Sequence, residues 1–389
     1  MTLQQRITDC LNAAVNNNEA AGISVMIRRN CEEILFTSAG CADRAKQLPI
    51  RRDNLFRLFS QSKPITAAAV VLLMERGLID AMDPVEKFLD GFRNQKVLTP
   101  EGLVPAVRPA TVMDMLGMVA GVSYPGEDEA GQYAAELFDE NNALILAGGG
   151  MSTIEFANRI GQLPLAFHPG QHFRYSTCAD VLGAVVEVVS GKPFDQFLKE
   201  ELFEPLSMKD TDFWVPAEKW DRLVTCYKRA DGELIPFTQN HLNIGVYDRR
   251  PAFLSGGAGL VSTLDDYAAF TDMLHNGGEY NGKRILSPAS VRFLTSPQLG
   301  WQQQKDMWES LDGFSYGKLM RVCIQPGRYL GFACLDEYGW DGWLGTYFAN
   351  LPNEKLTIML MQNVTDAGTT TITRKVRNLI LSALSNGEI

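Results

Sequence analysis

Leu58-Phe59-Ser60-Gln61-Ser62-Lys63-Pro64-Ile65-Thr66 decides how this chain is read. It looks like a buried strand running into the first turn of an apolar helix. Ala67-Ala68-Ala69-Val70-Val71-Leu72-Leu73-Met74 comes next, with no breaker until Gly77. Proline is tolerated only in a helix's first turn, because its ring clashes with the preceding turn and it lacks an N–H, so Pro64 sets the helix start at about Ser60. Ser60 and Lys63 then lie one turn apart on the same face. A serine hydroxyl is a poor nucleophile until a base takes its proton, and a lysine whose charge is disfavoured by burial can be that base. The helix N-terminus adds free N–H groups and a positive field where an oxyanion would form.

The same tetrapeptide pattern recurs at Ser315-Tyr316-Gly317-Lys318, inside Gly313-Phe314-Ser315-Tyr316-Gly317. That stretch matches the Gly-x-Ser-x-Gly elbow, which requires a strand–turn–helix context. The residues after Lys318, Leu319 to Ile324, are strand-like, and on a strand residues three apart point to opposite faces. Ser315 therefore lacks the context of a nucleophile, and Ser60 has it.

The 389 residues are 46% hydrophobic and 21% charged, ordinary for a globular protein large enough for one big core or two smaller ones. A net charge of −10 without a basic stripe argues against a nucleic-acid partner. No apolar run reaches membrane-spanning length, and the N-terminus has no secretory apolar region. Seven cysteines are dispersed without Cys-x-x-Cys spacing, as expected of reduced thiols in a cytoplasmic protein. His168 and His172 are four apart, but Pro169-Gly170 between them forbids the helical face that a zinc pair needs. No metal or cofactor is expected, phosphate and dinucleotide loops are absent, and self-association is compatible with this composition.

Leu3, Ile7, Leu11 and Val15 recur at helical spacing up to about Gly22. Ile23, Val25 and Ile27 then alternate with Ser24, Met26 and Arg28, the period of a half-buried strand. Further strands are expected at Ile34–Thr37 and Leu55–Leu58, the latter delivering Ser60. From about Gly77 to Asn240 the patterns turn helical (Val112–Met118, Tyr133–Phe138, Met151–Ile160, Val181–Val189), with Ala147-Gly148-Gly149-Gly150 as a terminator. Strands return after Gly256, including a hairpin of Tyr347–Ala349 and Leu356–Leu360 about Pro352-Asn353-Glu354. Ile372, Val376, Leu379, Ile380 and Ala383 form a last apolar helical stripe. The expectation is an α+β fold: an antiparallel β-sheet from both chain ends (1–77 and 241–389), flanked by N- and C-terminal helices, with a mainly helical domain (78–240) inserted.

Tyr175-Ser176-Thr177 opens a helical run in that insertion, where the Tyr175 phenol could relay a proton across a cleft to Ser60. Gly339-Trp340-Asp341-Gly342-Trp343-Leu344-Gly345-Thr346 opens a strand whose glycines allow close approach, so an N–H there could serve as a second oxyanion donor. Taken in order, Ser60-Gln61-Ser62-Lys63, Tyr175-Ser176-Thr177 and Trp340-Asp341-Gly342 resemble the three motifs of the serine β-lactamase and penicillin-recognising superfamily. Within it the chain most resembles the β-lactamase-like (family VIII) carboxylesterases, close to class C β-lactamases in fold. The likeness extends to Gly256–Thr263 and Asn276–Lys283 and so covers nearly the whole chain.

The resemblance implies Ser60 as nucleophile, Lys63 and Tyr175 as base and relay in an order left open, and an oxyanion hole from the N–H groups of Ser60 and Trp343. It places Thr177, Trp340, Asp341 and Gly342 at the substrate. Two departures bear on specificity: Thr177 stands where β-lactamases carry asparagine, and Trp340-Asp341 replaces a cation followed by a hydroxyl residue. A carboxylesterase for short-chain neutral esters, a small-molecule substrate, is therefore expected. The alternatives are a β-lactamase, a D-amino-acid peptidase or amidase, or an acyltransferase on the same scaffold, or a non-catalytic penicillin-binding-like interaction protein.

Overall fold

A computed structural model describes all residues, 1–389. Eight antiparallel strands form its main sheet: β1 (Gly22–Arg29), β2 (Glu32–Asp43), β3 (Leu48–Pro49), β4 (Phe314–Tyr316), β5 (Arg321–Cys323), β6 (Tyr338–Asp341), β7 (Tyr347–Leu351) and β8 (Leu356–Gln362). Their order is β4-β5-β6-β7-β8-β1-β2-β3, so the two chain ends meet where β1 pairs with β8, Val25 opposite Leu360. Such antiparallel neighbours need no crossover helix, which lets most of the helices sit elsewhere in the sequence.

On one face lie α1 (Leu3–Asn16) and the last helix (Thr371–Ser385), named α7 below. Ile7, Leu11, Val376 and Ile380 pack there on Ile23, Val25, Ile358 and Leu360. The stripe read from Leu3 to Val15 is that first helix, ending at Asn16 rather than near Gly22. Thr2 caps it by accepting the Gln5 N–H.

Before α7 come α2 (Lys63–Glu75), α3 (Glu129–Leu146), α4 (Thr153–Gln162), α5 (Cys178–Ser190) and α6 (Leu264–His275). The four helical patterns read between Val112 and Val189 correspond to a short helix at Val112–Leu116 and to α3, α4 and α5. The sheet's second face is also covered. Tyr267 of α6 packs on Phe348 with ring centroids 5.4 Å apart, and Asn350 donates to the Thr271 carbonyl. Hence β1 is buried on both faces through Ile27, not half-buried, because Met26 meets a core that alternation alone cannot reveal.

The strand expected at Leu55–Leu58 is shorter and lies elsewhere. Only Phe56–Arg57 is paired, with Val261–Ser262, in a ribbon separate from the main sheet. A short apolar run carries no register information, and here the Leu58 N–H goes to the Leu260 carbonyl instead of the sheet. That detour carries the chain to the junction between sheet and helices. Residues after Thr211 return to the same junction, with Asp212 bridged to Val261, Leu223 to Leu55 and Tyr227 to Val364.

Candidate active site

Ser60 sits in a 3₁₀ turn, Phe59–Ser62, that runs directly into α2, whose first turn contains Pro64. Phe59, just before it, has φ +45°, a left-handed conformation costly for a residue with a large side chain. Neighbouring elements hold the strained turn. Thr346 Oγ1 donates to the Leu58 carbonyl at 3.1 Å, Tyr267 Oη to the Gln61 carbonyl at 2.9 Å, and Ser62 Oγ accepts the Leu260 N–H at 3.1 Å. Ser60 itself remains partly open to solvent.

Lys63 Nζ lies 3.1 Å from Ser60 Oγ, 2.8 Å from the Gly257 carbonyl and 3.2 Å from Tyr124 Oη. It also stands 4.6 Å from the centre of the Tyr175 ring. The side chain is fully buried and makes no salt bridge. Burial lowers its amine from 10.5 to about 7, with Asp180 pulling the other way. Near neutrality the amine is thus available as a free base one hydrogen bond from the serine.

Tyr175, just before α5, faces the same point. Burial pushes its phenol well up, opposed in part by hydrogen bonding to Ser60 and Trp340. Trp340 Nε1 donates to Tyr175 Oη at 3.0 Å, and the two rings lie 5.5 Å apart. Tyr124, whose phenol burial also raises, closes the other side of Lys63. Trp308, half-exposed, lies 5.3 Å from the Tyr175 ring at the rim. The result is an aromatic cleft around one amine and one hydroxyl.

The strand edge closes the site. A Cβ on Gly342 would stand 2.2 Å from the Leu58 carbonyl, so only glycine lets the end of β6 come this close to the turn that carries Ser60. The next residue is Trp343. Its backbone N–H and that of Ser60 are taken up by no backbone acceptor, so both donors are free. Trp343's indole stacks on His241 at 3.8 Å and donates to Asp366 at 2.7 Å. A cavity of about 710 Å³ lies behind Phe59 and Trp343, and one of about 680 Å³ lies under Phe203 and Trp214. Neither is lined by Ser60.

The family described as Beta-lactamase matches residues 7–381. The chain belongs to the beta-lactamase family. An uncharacterized Mycobacterium tuberculosis protein, MT1414, is 28% identical over 363 residues, covering 89% of this chain and 86% of that protein. Esterase EstB of Burkholderia gladioli is 30% identical over 279 residues, 68% of each chain. Among solved structures, "EstCE1, a hydrolase with promiscuous acyltransferase activity" superposes with a TM-score of 0.82 at 24% identity, covering 97% of this chain and 98% of that one. The architecture is thus the serine-hydrolase type of the beta-lactamase family, with a large antiparallel sheet and helices.

Within this beta-lactamase-family fold, Ser60, Lys63 and Tyr175 converge, and the four residues expected at the substrate each make contacts within the protein. Thr177 is fully buried and donates to the Ser123 carbonyl at 3.4 Å, bracing the loop that carries Tyr124. Asp341 points off the other face of β6, where Arg321 and Thr369 bind its carboxylate. Strand alternation turns it away from Trp340, and Arg321 pairs its charge. Trp340 is itself 5% exposed and serves Tyr175 rather than offering a surface to solvent. Gly342 packs closely against the Leu58 carbonyl and Thr346 Oγ1.

Ser315 is fully buried on β4 without a hydrogen-bond partner, and Lys318 turns away to the Ser296 carbonyl. Tyr124 is the residue that sequence reasoning missed. It sits in Ser123-Tyr124-Pro125-Gly126, a turn-like stretch with no fixed spacing to Ser60, so only the tertiary fold brings it to Lys63.

Proposed function

We propose that this protein is a serine carboxylesterase that forms an acyl-enzyme on Ser60 and favours short-chain neutral esters. The observation that carries the reading is the buried Lys63 amine, lowered to about 7 and 3.1 Å from Ser60 Oγ. Lys63 takes the hydroxyl proton as Ser60 Oγ attacks the ester carbonyl carbon. The N–H groups of Ser60 and Trp343 receive the oxyanion, where fixed donors cost no reorganisation. Tyr175, held as the neutral phenol, gives a proton to the departing alkoxide and is reprotonated by the Lys63 ammonium, which leaves Lys63 a free base to activate water and release the acid. The raised phenol of Tyr175, beside the lowered amine of Lys63, supports Lys63 as the first base.

Preference for neutral esters follows from what replaces a cation. Trp340 supplies a neutral N–H and spends it on Tyr175, and Asp366 stands beside Trp343 on the rim. An unpaired substrate carboxylate in such a site costs on the order of 2–5 kcal/mol, taking truncated buried charge pairs as a guide. That corresponds to roughly 30- to several-thousand-fold in kcat/KM. Side-by-side kinetics on p-nitrophenyl butyrate and nitrocefin test the assignment. The ester is expected to be preferred by at least about 30-fold. Nitrocefin turnover within a few-fold of the ester would contradict it.

A further inference from the structure

We propose that Asp180 is a positioning residue for Lys63: it fixes the Gly257 peptide whose carbonyl holds the lysine, and its charge sets the pH at which the lysine becomes a base. The inference rests on the Ser60–Lys63 reading above and deepens it.

Asp180 lies in the first turn of α5 and is only 3% exposed. Its Oδ1 accepts Ser255 Oγ at 2.5 Å and the Gly257 N–H at 3.0 Å. Ser255 Oγ in turn accepts the Ala258 N–H at 2.9 Å, so the carboxylate organises the whole 255–258 turn. The Gly257 carbonyl, at 2.8 Å, is the nearest acceptor of Lys63 Nζ. One residue thus links the two, with the carboxylate on its N–H side and the amine on its carbonyl side. A Cβ at Gly257 would stand 2.9 Å from Tyr124 Oη and about as close to the Asp180 carboxylate, so the turn has no slack.

Charge follows the same line. The groups facing Lys63 are Ser60, Tyr124, Tyr175, Cys178 and Asp180. Burial raises Tyr124 and Tyr175 well above neutrality and Cys178 to about 12, so all three are uncharged in the working range. Burial raises the Asp180 carboxyl, and Lys63, the Ser255 hydroxyl and the Gly257 N–H oppose that rise; as the anion, Asp180 steadies the Lys63 ammonium. Removing that charge leaves the ammonium less stable, so Lys63 loses its proton at lower pH.

The test is the pH dependence of kcat/KM on p-nitrophenyl butyrate in wild type, Asp180→Asn and Asp180→Glu. In Asp180→Asn the acid limb is expected to move down by about one pH unit, for one charge lost at close range. Its plateau is expected to fall by about ten-fold as the Gly257 turn loosens. Asp180→Glu, which keeps the charge, is expected to restore the limb and not the plateau. Following the same pH series by fluorophosphonate labelling of Ser60 separates this claim from the esterase reading, since labelling needs no ester turnover. An acid limb unmoved in folded Asp180→Asn overturns the proposal, whatever happens to the plateau. If that variant does not fold, Ser255→Ala decides: it keeps the charge, so the limb is expected to stay while the plateau falls by about five-fold or more. An unchanged plateau overturns the proposal.

Discussion

Ser60-Gln61-Ser62-Lys63 and Ser315-Tyr316-Gly317-Lys318 share a pattern but not a backbone. In the first, a 3₁₀ turn feeding α2 places the lysine amine 3.1 Å from the hydroxyl. In the second, Ser315 lies on β4 and Lys318 in the turn after it, so the amine reaches the Ser296 carbonyl, 3.2 Å away. Burial lowers both amines, Lys63 to about 7 and Lys318 to about 8. A depressed lysine is therefore not what distinguishes the sites. The local backbone is: a helical turn brings residues three apart together, and a strand separates them.

The largest expected effect comes from exchanging the serines. Ser60→Ala should lower kcat/KM on a p-nitrophenyl ester by about 10⁴-fold or more, as when a nucleophile is deleted from a unit that acts together. Ser315→Ala should stay within a few-fold. A folded Ser60→Ala that keeps its activity while Ser315→Ala loses it would reverse the comparison.

The lysines sharpen it. Lys63→Ala should cost about as much as the Lys63→Ala/Tyr175→Phe double variant, because residues sharing one proton path are non-additive. Additive losses in log kcat/KM would mean that they act separately. Lys318→Ala should cost little. The pH profile adds a sign. Lys63 is depressed from 10.5 to about 7, so it is protonated and inactive below that value and a free base above it. The rate of wild type and of Lys318→Ala should therefore climb as pH rises through about 7. A climb centred near 8 in wild type that disappears in Lys318→Ala would point to the wrong lysine.

What the sequence made legible was local. The helix periods of α1 and α7, the hairpin of β7 and β8, and the Ser60–Lys63 geometry each depend on residues within a few turns of one another. The order of three short motifs then indicated the fold. What stayed hidden was set by contacts between distant segments. Tyr124 reaches Lys63 across 61 residues of sequence, and Arg321 reaches Asp341 only because β5 and β6 are neighbours. The resemblance placed Asp341 and Thr177 at the substrate, but their partners within the protein, Arg321 for one and the Ser123 carbonyl for the other, could not be read from the motifs.

The smallest effect on catalysis is expected at Asp341. Asp341→Asn should leave the ratio of neutral to carboxylated substrates within a few-fold, because Arg321 already neutralises this carboxylate. It should instead destabilise the fold by about 2 kcal/mol, less than a fully buried pair since Asp341 keeps some contact with water. Urea unfolding measures the loss, and a marked gain in nitrocefin turnover would return Asp341 to the substrate cleft.

The most direct test of the account is covalent. Wild type incubated with a fluorophosphonate and read by intact mass and peptide mapping should carry one adduct, on the peptide containing Ser60, absent from Ser60→Ala. No adduct on wild type, or an adduct mapped to another serine, would contradict Ser60 as the nucleophile.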